Sequence, residues 1–219
     1  MIKKFLDGIA AGIMITIGGS VFLACYADYM KTGVASSKYV GAFFFAVGLM
    51  CICIRGYSLY TGKVCFLPDK HDKETFSVLF LGLLGNTVAT CLLGMAVGYA
   101  VPDMGKAALA VCEAKLMQSF SQTLIRSIFC GILVYLAVVI YRDHGKQIAG
   151  ILLCVPTFII CGFEHSIANM VYFGASGIVS LEAFGYLWTV ILGNSIGGML
   201  LPIIGKLGAV GKKETNDGK

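Results

Sequence analysis

Glu164 and His165 are neighbours in the middle of Thr157–Phe173, a stretch otherwise almost entirely apolar or small. At membrane depth a carboxylate and an imidazole are costly unless they face a bundle interior, pair, or line an aqueous path. Glu164 reads as a structural group that holds a broken helix together through backbone amides. His165 is the better candidate for chemistry, because imidazole titrates near physiological pH and can exchange protons with a permeant. Lys115 follows Glu113 at the outer end of a span. It reads either as a lysine snorkelling to water or as a collector of anions at a vestibule mouth. Arg55 and Arg126 also fall within or beside spans and read as subunit-contact or snorkelling residues.

Other chemistries lack their residues. Gly205-Lys206-Leu207 has neither the Ser or Thr nor the loop of a phosphate-binding P-loop. His71 and His144 lie in polar loops without an H-E-x-x-H partner, and no serine sits in a G-x-S-x-G turn. The nine cysteines contain no C-x-x-C pair and lie mostly in or beside apolar runs, with Cys65 in a polar loop. They read as buried thiols rather than as a disulfide or metal framework. No metal, cofactor or catalytic activity is expected.

The elements that must position these residues follow from composition. Of 219 residues, 58% are apolar and 13% are charged, and the mean hydropathy is +0.84. Soluble domains sit near about 45–50% apolar with about a quarter charged. The excess excludes a soluble enzyme, a nucleic-acid-binding protein and a disordered chain. Continuous apolar runs at 8–27, 39–62, 76–101, 116–141, 148–175 and 183–205 predict six transmembrane helices in one domain over 1–219. Lys3 and Lys4 precede a long apolar span without a clear cleavage pattern, so no cleaved signal is expected. With both termini cytoplasmic, the inner segments hold eleven basic residues and the outer loops three. Positive charge therefore orients the chain in the cytoplasmic membrane.

The halves carry matching features. Leu84-Gly85-Asn86-Thr87-Val88 and Leu192-Gly193-Asn194-Ser195-Ile196 lie 108 residues apart. Upstream of each, a span is interrupted: by Arg55–Gly62 in the second and by Gly162–Ser166 in the fifth. Three spans per half would make inverted repeats of about 1–105 and 106–210, followed by a polar tail at 211–219. Interrupted helices at matching positions of inverted halves point to a midplane permeation site. Asn86, Asn194, Glu164 and Asn169 are the expected supports of those breaks. Gly8/Gly12, Gly94/Gly98 and Gly193/Gly197 are small-residue pairs suited to close helix packing.

Gly162-Phe163-Glu164-His165-Ser166-Ile167-Ala168-Asn169-Met170 resembles the signature of the formate/nitrite transporter family, and the likeness extends over essentially the whole chain. The resemblance implies an all-α membrane protein with an aquaporin-like protomer, broken second and fifth helices, and a homopentamer in the lipid bilayer. It also implies a separate pore in each protomer for small anions of weak acids, such as formate, nitrite, hydrosulfide or short carboxylates. By this likeness His165 is the central histidine, Lys115 the vestibule lysine and Thr61 the threonine of the second-helix loop. The apolar constrictions fall on Phe45, Leu49, Leu59, Tyr60, Val134 and Phe158. Two positions depart from the family pattern. Gly131 stands where an asparagine is common, which would remove a polar partner from the pore. Tyr60 stands where a phenylalanine is common, which would add a hydroxyl at an inner gate. Hydrosulfide remains an alternative permeant. A neutral-solute aquaporin-like channel is a further alternative, disfavoured because Asn86 and Asn194 precede Thr and Ser rather than forming an Asn-Pro-Ala box.

Overall fold

The computed structural model describes the backbone of residues 1–217 and side chains as far as Gly208; Gly218 and Lys219, the end of the expected polar tail, lie outside the described residues. Nine helices make up this part: α1 (Ile2–Thr32), α2 (Ser36–Arg55), α3 (Tyr60–Val64), α4 (Lys73–Ala100), α5 (Pro102–Leu116), α6 (Phe120–Asp143), α7 (Ala149–Ile160), α8 (Ser166–Ser176) and α9 (Leu181–Asp217). The protein is an all-helical membrane protein. Helices α1, α2, α4 and α6 and the Leu181–Gly208 part of α9 are long and apolar enough to cross a bilayer, and α7 is a shorter apolar helix.

Two of the expected spans are composite. The second consists of α2 and the short α3, and the fifth consists of α7 followed by α8. The 211–217 segment, expected as a tail, continues α9. The fourth span begins at Phe120 rather than at 116, because α5 intervenes as a separate helix. Local chemistry explains both of its ends. Val101 precedes Pro102, whose ring disfavours the α region for that residue, so α4 stops and the proline starts α5. Ser119 then begins α6 with a capping box: its side chain accepts from the Gln122 amide, and the Gln122 side chain accepts from the Ser119 amide. Lys115 therefore belongs to α5 and not to the fourth span. At the start of α4 the exposed Asp72 accepts from the Thr75 hydroxyl and amide, which holds its carboxyl down at about 2. That cap is present at and above ordinary carboxylate pH values and is lost only as pH falls through about 2.

The most extensive helix contacts are α6 with α9, α1 with α2 and α1 with α4. The Gly8/Gly12, Gly94/Gly98 and Gly193/Gly197 pairs lie at the α1–α4, α4–α8 and α6–α9 contacts, where backbones approach closely. The approach is tightest between α6 and α9. A Cβ at Gly197 would overlap the Ile128 carbonyl, and one at Gly131 would overlap the Asn194 carbonyl. Gly131 is thus a packing position facing α9. No larger side chain fits there without separating the two helices.

Gly197→Val should consequently cost at least the roughly 1–3 kcal/mol typical of overpacking. Gly205→Ala is the control, since nothing lies within 4 Å of a Cβ there. In detergent, the melting temperature should fall clearly for Gly197→Val and stay near the parent value for Gly205→Ala.

Candidate functional site

The site is built from two chain breaks held in the same way. Gly56 ends α2 with φ +73°, and Gly162 follows α7 with φ +68°. Side-chain-bearing residues adopt this left-handed conformation only at a cost, so glycine makes each turn out of the helix. Asn86 on α4 spans the first break. Its Nδ2 donates to the carbonyls of Gly8 and Ser58 at 2.8 and 2.9 Å, and its Oδ1 accepts the Tyr60 amide at 2.9 Å. Asn194 on α9 does the same at the second. Its Nδ2 donates to Ser127 and Glu164 carbonyls at 2.9 and 2.7 Å, and its Oδ1 accepts the Ser166 amide at 2.8 Å. The Ser58 amide donates to the Asp7 carbonyl and the Glu164 amide to the Arg126 carbonyl. Each break is therefore sewn to two neighbouring helices.

The Glu164 side chain is not used on backbone amides. Its carboxylate pairs with Lys115 and accepts from Gln118 Nε2 at 2.8 Å and from Asn169 Nδ2 at 3.0 Å. Asn169 also reaches the Tyr186 hydroxyl at 3.4 Å. Glu164 is 2% exposed and the Lys115 side chain 14%, so this pair is largely removed from water. Lys115 is therefore not a free cation at a mouth. Its charge is matched by the carboxylate beside it.

His165 is the N-cap of α8. Its Nδ1 accepts the Ala168 amide at 3.1 Å, and its Nε2 lies 2.9 Å from Thr61 Oγ1. A backbone amide can only donate, so Nδ1 carries a lone pair, and the neutral ring has its proton on Nε2, donating to Thr61. Phe158 stacks on the imidazole at 5.7 Å and meets Phe45 edge-on at 6.3 Å. Phe45, Leu49, Leu59, Val134 and Phe158 are all buried, as are Thr61 and His165. The carried-over residues thus come together, with one exception. The Tyr60 hydroxyl bonds to Ser195 Oγ on α9 at 2.9 Å and so ties α3 to α9 rather than adding a free polar group to a gate. Cys65, expected in a polar loop, is buried behind α3 and donates its thiol to the Thr61 carbonyl at 3.0 Å.

Cavities open on either side of this buried group. One, of about 250 Å³, is lined by Lys115, Gln118, Arg126, Phe158, Glu164 and His165, among others. The other, of about 420 Å³, includes Leu49, Leu59, Lys63, Val138, Arg142 and Lys146 in its wall. Along α6 they take Arg126 and Val138, which the helical rise separates by about 18 Å. Arg126 was expected at a subunit contact or snorkelling to water; it borders the first cavity. Sequence reasoning passed over Gln118 and the basic wall of the second cavity. The Ser119 capping box was the available signal for Gln118, because it fixes where α5 ends and so which residues face the break.

Paired breaks inside a bundle of apolar helices, with cavities at both ends of one buried junction, define a membrane transport protein. The formate/nitrite transporter profile matches residues 1–207, and the chain belongs to that family. It is 28% identical over 213 residues to the uncharacterized transporter YrhG of Bacillus subtilis (strain 168), covering 90% of this chain and 78% of that one. It is 26% identical over 208 residues to the formate channel BtFdhC of Bacillus thuringiensis, covering 87% and 80%. A solved pentameric formate channel with formate bound has the same fold: TM-score 0.76, 23% identity, 94% of this chain and 95% of that one.

Breaking the Lys115–Glu164 pair from one side leaves a buried charge without its counterion, a change that costs about 3–5 kcal/mol. Lys115→Ala should lower the melting temperature more than Lys115→Ala combined with Glu164→Gln. A double-mutant series by thermal denaturation in detergent reads this directly, and equal losses would mean the pair is not coupled.

Proposed function

We propose that the protein conducts small monovalent anions of weak acids, of the formate and nitrite class, across the cytoplasmic membrane through a pore within each protomer. The observation that carries this reading is the Thr61–His165 hydrogen bond at the meeting point of the two cavities. It is the polar step in a plug otherwise made of Phe45, Leu49, Leu59, Val134 and Phe158. A bare anion entering that plug would lose its hydration at a cost of several kcal/mol. The N-terminus of α8, capped by His165, offers positive potential at that depth.

Both ring nitrogens of His165 are occupied, by Ala168 and by Thr61. A permeant therefore reaches the Nε2–H only by displacing Thr61. In the proposed passage the anion inserts between the two side chains, accepts from Nε2–H and from the Thr61 hydroxyl, and crosses either as the dehydrated anion or as its neutral acid with a proton taken from water beside the ring, while the neutral imidazole keeps its Nε2 proton. His165 and Thr61 thus act on the permeant, while Glu164, Asn169, Asn86 and Asn194 hold the breaks that present them. The same reading places both termini on the cytoplasmic face. Lys63, Arg142 and Lys146 then border the cytoplasmic cavity, in line with the excess of basic residues on that side.

His165→Phe removes the polar junction and also the α8 cap, worth about 0.5–2 kcal/mol. His165→Asn keeps a good N-cap but supplies no exchangeable ring proton. In proteoliposomes, His165→Asn should remain folded yet lose most pH-dependent formate or nitrite flux. Wild-type rate and pH profile in His165→Asn would make the histidine a cap alone, and glycerol flux without anion flux in the parent protein would sink the reading.

The proposed assembly is a homopentamer. Large apolar side chains such as Phe44, Phe80, Leu153 and Trp188 face outward, which provides surface for both subunit and lipid contacts. Native mass spectrometry from detergent should report a five-fold mass. A monomer or dimer as the sole species would refute it.

A further inference from the structure

We infer that Arg126 is a binding residue for planar two-oxygen anions, and that it biases the passage toward carboxylate and nitrite ions over hydrosulfide. The inference rests on the proposed passage and concerns the cavity of about 250 Å³ on the Lys115 side.

Three charged side chains border that cavity: Lys115, Arg126 and Glu164. Glu164 is committed to Lys115, and its carboxylate also accepts from Gln118 and Asn169. The cavity keeps one positive charge in excess, and the geometry gives it to Arg126. Among the described residues, the Arg126 guanidinium makes no hydrogen bond and no ion pair; only its main-chain carbonyl is used, by the Glu164 amide at 3.4 Å. The fold therefore needs the Arg126 backbone and leaves the side chain free.

Position supports a ligand role. Arg126 is half-buried on α6, one turn before Cys130 in the core, and borders the same cavity as His165. The next turn of α6 carries Phe129, stacked at 5.2 Å on Phe163 of the break, which lines the cavity. An arginine within a membrane span is expensive unless it meets an anion or an aqueous cavity. Here the cavity is present, and the one carboxylate that borders it among the described residues, Glu164, is paired with Lys115.

The residue type then selects the ligand. A guanidinium presents its donors as a rigid planar fork that matches the two oxygens of a carboxylate or nitrite in a bidentate pair. Hydrosulfide has a single acceptor atom and gains only from the charge. A lysine at this place would attract both kinds of anion alike.

Initial uptake into proteoliposomes at low substrate tests this, using formate, nitrite and hydrosulfide with wild type, Arg126→Lys and Arg126→Gln, each checked for an unchanged elution volume. Loss of a charge-assisted bond corresponds to about tenfold or more. Arg126→Lys should therefore lower formate and nitrite uptake about tenfold and leave hydrosulfide within about twofold. Arg126→Gln should lower all three. Wild-type rates in Arg126→Lys for every anion, or an equal fall for all three, would overturn the inference. A second measurement does not depend on transport: the rise in melting temperature of the detergent-solubilised protein with sodium formate over equal sodium chloride. A formate-specific rise that Arg126→Lys abolishes upholds the inference, even if flux measurements refute conduction. Absence of such a rise in wild type, or its persistence in Arg126→Lys, overturns it.

Discussion

Main-chain amides and carbonyls left unpaired in hydrocarbon cost several kcal/mol each, and this fold places two chain breaks inside a bundle of apolar helices. Asn86 and Asn194 meet that constraint. Each supplies two donors and an acceptor to three backbone groups around a break. A carboxamide is the smallest side chain with this combination; a carboxylate has no donor and a hydroxyl only one. The asparagines can do so only because α4 and α9 run unbroken past the breaks and lie close to α1 and α6. The close glycine contacts of those helices are thus a condition of the site. Widening the α6–α9 contact would withdraw Asn194 from the Ser127 and Glu164 carbonyls together.

With the backbone satisfied, the side chains at the breaks are released for other purposes. His165 shows how few are left over. As the α8 cap it uses Nδ1, and as the partner of Thr61 it uses Nε2, while Phe158 covers one face of its ring. The imidazole has one orientation, one satisfied tautomer and one direction in which it can donate a hydrogen bond. Thr61 is fixed from its own side. Its carbonyl takes the Cys65 thiol, and the preceding Tyr60 is tied to Ser195. The two chain breaks meet at the Thr61–His165 hydrogen bond, whose donor and acceptor are each held by separate contacts.

Much of this was legible in the sequence. Long apolar runs gave the crossing helices, because a bilayer demands length and hydropathy above all else. The glycine and asparagine spacing gave the breaks and the residues that clamp them, since few other side chains can do either task. Reading failed where a side chain's partner came from an element with no strong periodic signal. Helix α5 is an example: its charged residues blend into the flanking spans, and its limits are marked only by Val101-Pro102 and by Ser119-x-x-Gln122. Missing it left Lys115 on the wrong helix and left Glu164 without its partners. Gly131 and Tyr60 looked like changes to the pore, yet each is explained by contact with α9. Which face of a helix a residue occupies depends on crossing geometry, and local sequence does not encode that.

The Lys115–Glu164 pair has a consequence for electrostatics on that side of the junction. A lone lysine there would attract anions and also hold them. A carboxylate facing the cavity alone would repel them. Paired and hydrogen-bonded, the two form a nearly neutral wall that cements α5 to the second break, at a cost in desolvation that Gln118 and Asn169 help to offset. The attractive field inferred above then falls to the α8 N-terminus and to the Arg126 side chain, which takes no part in holding the break. Structure and attraction are thereby assigned to different charges. Attraction of a permeant can then change by substitution at Arg126 without loosening the break, whereas substitution at Lys115 or Glu164 alters the break before it alters the field.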